Sequence, residues 1–160
     1  MKKAFTAIVA VVVGAACLTA SSGPAEAQYA RHKGKILVSE KPVPTKQEEV
    51  DRWIKKDTST TLKANKGGDS WEFHYVAVLT KAPPVNVVNL VFYEAAGGGY
   101  KYINAEDVKV AAQTNVIIGK AKMHKLLGFA RGKRYQIRVT VKDNQGVERI
   151  FARSAALLLK

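Results

Sequence analysis

The chain has 160 residues, 47% of them hydrophobic and 24% charged, with a formal net charge of +13. That length suits one domain with a core of its own, and the hydrophobic share excludes a wholly disordered chain. The single cysteine, Cys17, excludes a disulfide framework.

Met1-Lys2-Lys3 is a short cationic start, followed by the uncharged apolar run AFTAIVAVVVGAACL and then SSGPAEA, with Ala25 and Ala27 around Glu26. This is the order of a secretory signal peptide, so residues 1–27 are expected to be removed after Ala27, leaving a periplasmic or extracellular bacterial protein. The apolar run falls short of the roughly 20 residues that span a bilayer. Gly14-Ala15-Ala16-Cys17 offers a second reading, a lipid anchor on Cys17, although the Leu-type residue usual three positions earlier is missing.

Residues 28–44 read as a basic arm, frayed over 28–35, and a short strand at Ile36–Val38 that ends before Pro42 and Pro44. TKQEEVDRWIKK follows within 45–57. Thr45 and Glu48 have capping-box spacing, acidic residues lead, Lys55 and Lys56 trail, and Val50, Trp53 and Ile54 share a face. A short amphipathic helix is predicted, its apolar face either packed on the domain or kept for a partner.

From Thr58 the period changes to two. WEFHYVAVL places Trp71, Phe73, Tyr75, Ala77 and Leu79 on one face. VVNLVFYE is a central strand, Gly97–Gly99 a flexible connection, and YKYIN and DVKVA two short strands. NVIIGKAKM is another strand, with Gly119 as a bulge. KRYQIRVTVK and VERIFARSA form a hairpin about Asp143–Gly146. The expected fold is all-β, an antiparallel sandwich of six to eight strands over 58–160 with one N-terminal helix.

Phe129–Val141, FARGKRYQIRVTV, resembles the tyrosine corner of immunoglobulin-like and fibronectin type III sandwiches. There an apolar residue, a turn loop and a Tyr introduce the sixth strand, and the hydroxyl bonds back to the loop. Gly132 stands where a proline is usual, and residues 28–57 have no counterpart. The resemblance implies a scaffold for recognition, with Trp71 in the core, and names no ligand.

Charge is uneven along the chain. Residues 119–160 hold eleven Lys/Arg against Asp143 and Glu148, for +9, whereas residues 28–118 hold thirteen against ten, for +3. If Lys142 opposes Val147 across the turn, Arg138 opposes Phe151 and Gln136 opposes Arg153. Arg134, Arg138, Lys142, Arg149, Arg153 and Phe151 then share an outer face, and Tyr135, Ile137, Val139, Ile150 and Ala152 an inner one. Such a face suits an anionic polymer or lipid surface, such as lipopolysaccharide or acidic polysaccharide, because guanidinium groups bond phosphate and carboxylate bidentately. The same cations also fit a plainer role, keeping sheet edges from pairing and the protein soluble. No basic–aromatic interleaving indicates nucleic-acid readout.

Catalytic patterns are missing. His32, His74 and His124 are isolated; Ser39, Ser59, Ser70 and Ser154 sit in no nucleophile elbow; Glu106 and Asp107 point to opposite faces of a strand; Gly97–Gly99 lacks the ending of a phosphate loop. The sequence therefore leads to a non-enzyme that needs no cofactor or metal. It reads as an exported binding module or, alternatively, an accessory subunit joining an envelope protein assembly.

Overall fold

The structure is a computed structural model that describes residues 29–160. The signal-peptide reading, its cleavage after Ala27 and the Cys17 anchor lie outside those residues. The described elements are β1 (Lys35–Ser39), α1 (Gln47–Lys56), β2 (Thr61–Leu62), β3 (Ser70–Val78), β4 (Val87–Ala96), β5 (Gly99–Lys109), β6 (Val116–His124), β7 (Arg134–Lys142), β8 (Glu148–Ser154) and β9 (Leu157–Leu159). The chain is thus mostly strand, in an open mixed sheet with one α-helix. β5 pairs with β4, β4 with β7, β7 with β8, β8 in parallel with β1, β1 with β3, and β3 with β6; β9 joins β7 to β2.

Alternation makes the core. Trp71, Phe73, Tyr75 and Ala77 of β3 meet Leu90 and Phe92 of β4, Tyr135, Ile137 and Val139 of β7, and Met123 of β6 in one buried cluster. Each large side chain taken fully from water stabilises the fold by about 1.5–3 kcal/mol. Phe129 stands edge-on to Phe92 at 5.5 Å and leans on Tyr135 at 5.1 Å. The Ala130 N–H donates to the Tyr135 hydroxyl at 2.9 Å, a corner closed from strand to preceding loop.

The apolar face of α1 is not free. Val50, Trp53 and Ile54 are buried with Tyr29 against Val76 and Val78, on the side of β3 that faces away from the main core. This explains why WEFHYVAVL turns from alternating to continuously apolar at its end: there the strand is covered on both sides. Two expectations fail here. The segment before β1 is not a frayed arm, since Tyr29 is buried and Arg31 holds Asp51 at 2.6 Å. Nor does the capping box form: Lys46 is the N-cap and no side chain caps it, because the helix begins one residue beyond the Thr45 position that box requires.

Other local readings are also corrected. The two short strands expected at 100–111 are one, β5, joined to β4 by a tight turn in which Gly97 and Gly98 have φ of +57° and +83°. Two consecutive positive φ values match the right-handed twist of the strands, which Gly reaches without strain. Gly119 is no bulge: β6 runs in unbroken register with β3, and Gly119 opposes Tyr75. A Cβ there would stand 2.6 Å from Tyr75 Cζ, so glycine makes room for the ring. β9 was not expected as a strand.

Candidate functional site

The predicted face depends on the β7–β8 register, and that register differs from expectation. Lys142 opposes Glu148, Val141 opposes Arg149 and Thr140 opposes Ile150; beyond a bulge Val139 opposes Ala152 and Arg138 opposes Arg153. The connection is a three-residue loop. The Asp143 N–H donates to the Val147 carbonyl at 3.0 Å, and Gly146 takes φ +76°. An odd loop in place of an even one shifts the register by one residue, and the bulge adds another. Consequently Phe151 is buried in the core at 3% exposure and Ile150 is exposed at 41%, the reverse of the expected assignment.

The five predicted cations are therefore divided. Arg134, Arg138 and Lys142 alternate along the outer side of β7, and Arg153 joins them by opposing Arg138. Arg149 falls on the other side, at the hairpin end, where it contacts Asp143 at 3.3 Å. Backbone N–H groups of Val147 and Gln145, with Arg149, hold the Asp143 carboxyl below its ordinary range.

Arg138 is not a loose surface cation. Its Cζ lies 4.3 Å from the Tyr93 ring centroid and 4.6 Å from that of Tyr100, so the guanidinium sits between two phenol rings. Such contacts contribute about 0.5–2 kcal/mol each, more as water is excluded. Arg138 Nε donates to Gln136 Oε1 at 2.8 Å, and Gln136 Nε2 donates to Tyr100 Oη and to the Ser154 carbonyl, both at 3.3 Å. The Tyr93 hydroxyl donates to Glu148 at 2.7 Å, and Tyr102 stands edge-on to Tyr93 at 6.2 Å. Burial, then the hydrogen bond to Glu148, pushes the Tyr93 phenol up to about 12, so it stays protonated and donating near neutral pH.

Three strands build this arrangement. A register shift between Phe92 and Tyr93 sets Tyr93 opposite Tyr102, and Tyr100 follows two residues away on the same side of β5. β4 pairs with β7 so that Tyr93 opposes Gln136, beside Arg138. Tyr100 and Tyr102 remain 51% and 57% exposed. The surface thus offers two open phenol rings, one preset guanidinium and the cations of Arg153 and Lys142. Chemically it can stack on the C–H face of a sugar ring and bond a carboxylate or phosphate beside it. Sequence reasoning missed Tyr93, Tyr100, Tyr102, Gln136 and Glu148; the available signal was Tyr-x-Tyr directly after the Gly97–Gly98 turn.

The histidines do not converge. His74 is half-buried on the outer side of β3, and burial, then Lys120, lowers its pKa. His124 caps the turn after β6 by accepting from the Leu126 N–H at 3.1 Å. Among the described residues no three of His, Cys, Asp and Glu are placed to hold one metal ion, and no helix is long and apolar enough to cross a membrane. No protein-family model matches the chain, and no curated protein or solved structure matches it at significance.

Proposed function

We propose that this chain is a non-catalytic, exported binding module of the bacterial cell envelope, docking an acidic polysaccharide on the outer face of β4, β5, β7 and β8. It works in the periplasm or outside the cell after signal-peptide cleavage near Ala27, and it needs no cofactor. The observation that carries the reading is Arg138 fixed between Tyr93 and Tyr100 with Arg153 directly opposite. Two like charges facing across a strand pair are unfavourable for the free protein, and an anion between them relieves that cost. The exposed Tyr100 and Tyr102 rings supply the apolar contact that a sugar ring requires. In fold, the Tyr135–Ala130 bond supports an immunoglobulin-like sandwich as the scaffold.

The test is calorimetric binding to alginate, lipopolysaccharide and neutral dextran, for wild type, Arg153→Glu and Tyr102→Ala. The reading expects alginate to bind, dextran not to bind, and each substitution to weaken alginate by about tenfold or more. Equal binding of dextran and alginate, or unchanged affinity in Arg153→Glu, contradicts it. Binding of lipopolysaccharide alone moves the ligand from uronate to lipid-linked phosphate.

One observation favours the second reading, an accessory subunit. β5 is eleven residues long and, among the described residues, pairs with β4 alone, which leaves its other edge to a strand from another protein.

A further inference from the structure

The loop after β6 holds a leucine out in water. Leu126 is 90% exposed and Leu127 47%, at the tip of a 3-10 turn at Lys125–Leu127. The turn is built to stay in place. His124 Nδ1 accepts from the Leu126 N–H, Gly128 closes it with φ +93°, the Lys125 N–H donates to the Asp69 carbonyl at 2.9 Å, and Lys125 Nζ pairs with Asp69 at 2.9 Å. These contacts hold the backbone that carries Leu126 at the surface, although an isolated exposed leucine alone would mean little.

Its surroundings give it meaning. The strand registers bring the 63–69 turn, the 125–133 loop and the C-terminal residues to one end of the molecule: Gly132 N–H donates to the Leu159 carbonyl at 2.7 Å, and Lys63, Arg131 and Lys160 line one shallow depression. That end carries Lys63, Lys66, Lys125, Arg131, Lys133 and Lys160. Its acids are Asp69, held by Lys125, Glu94, held by Lys133, and Glu40, which accepts from the Lys63 N–H. The opposite end is cationic as well, with Lys33 and Lys81, and Arg31 held by Asp51, against Asp143, so what sets the first end apart is its cations together with the leucine tip.

We infer that this end seats on an anionic phospholipid surface, with Leu126 and Leu127 entering the interface and the surrounding cations resting among headgroups. A protruding apolar tip at an end where Lys63, Lys66, Arg131 and Lys160 stand in excess of the paired charges Lys125–Asp69 and Lys133–Glu94 is complementary to such a surface, where apolar insertion and counter-charge act together. The face bearing Arg138 and Arg153 lies along the strands and is separate from this tip, so the two sites can be occupied independently.

The test uses the full chain with Cys17→Ser, carrying a polarity-sensitive dye either on Leu126→Cys or, as a control at the opposite end, on Asn144→Cys. Vesicles of phosphatidylcholine are compared with and without phosphatidylglycerol. The expected result is a blue shift of the dye at 126 and not at 144, only with phosphatidylglycerol, reversed by salt and lost in a Lys66→Glu, Arg131→Glu variant that keeps its unfolding midpoint. An unshifted dye at 126, or equal shifts at 126 and 144, overturns the inference. A shift with phosphatidylcholine alone overturns the role given to the cations.

Discussion

Arg138 and Arg153 face each other across β7 and β8, and only Arg138 is held, by Tyr93, Tyr100 and Gln136. The exposed partner is therefore the one to change. Arg153→Glu converts a like-charge pair into an opposite one, so it should stabilise the free protein by about 0.2–1 kcal/mol while weakening binding of an acidic polysaccharide. Thermal unfolding beside alginate binding checks both signs. Gain of stability with loss of affinity marks a charge kept for function; gain of stability with unchanged affinity assigns the charge to solubility.

Tyr100 and Tyr102 are half exposed and lie on an edge strand. Replacing both by Ala should cost about 1–3 kcal/mol of stability, because the Arg138–Tyr100 contact, the Gln136–Tyr100 hydrogen bond and the covered half of each ring are lost while the main core is untouched. It should remove most of the affinity for a sugar polymer. A far-ultraviolet spectrum equal to wild type, read with the binding curve, separates the two effects.

Gly119→Ala should destabilise by about 1–3 kcal/mol, since the new methyl meets the buried Tyr75 ring at 2.6 Å. Adding Tyr75→Leu should recover part of that loss relative to Tyr75→Leu alone. Denaturant midpoints of the four proteins give the coupling directly.

Glu106 of β5 opposes Leu90 of β4, and burial raises its carboxyl above the ordinary value. A raised carboxyl pKa means the folded state favours the protonated form. The penalty on the charged form is present at pH above the folded pKa and disappears as pH falls below the unfolded one. Glu106→Gln should therefore stabilise at pH 7, by at most about 1 kcal/mol given its partial exposure, and the difference should close toward pH 4. A constant difference across that range would show that charge is not the cause.

Much of the fold is written in local pattern. The two-residue period of Trp71–Leu79 and the i, i+3, i+4 face of Val50, Trp53 and Ile54 depend only on neighbours along the chain, and both are found in place. The Asp143–Gly146 turn was also legible. Its loop length was not, because Ile150 and Phe151 are both apolar and either could face the core; the three-residue loop and the bulge decide between them. The aromatic clamp was out of reach for a different reason. Arg138 meets Tyr93 and Tyr100 only through β4–β7 pairing and the β4–β5 register shift, long-range choices that no short window of sequence contains. Tyr29 was missed because the residues that bury it belong to α1 and β3, far along the chain.

The most direct measurement is an NMR titration of the folded protein with alginate oligosaccharides, following backbone amides and arginine side-chain Nε–H signals. Docking on the tyrosine and arginine face predicts that Arg138 Nε–H and the amides of Tyr93, Tyr100, Tyr102 and Arg153 shift together with one dissociation constant. Those of Glu72, His74, Lys120 and Lys122, on the opposite outer surface, should stay in place. Shifts centred on Lys120 and Lys122, or spread evenly over every surface lysine and arginine, would contradict a built site and leave the charge without a specific ligand.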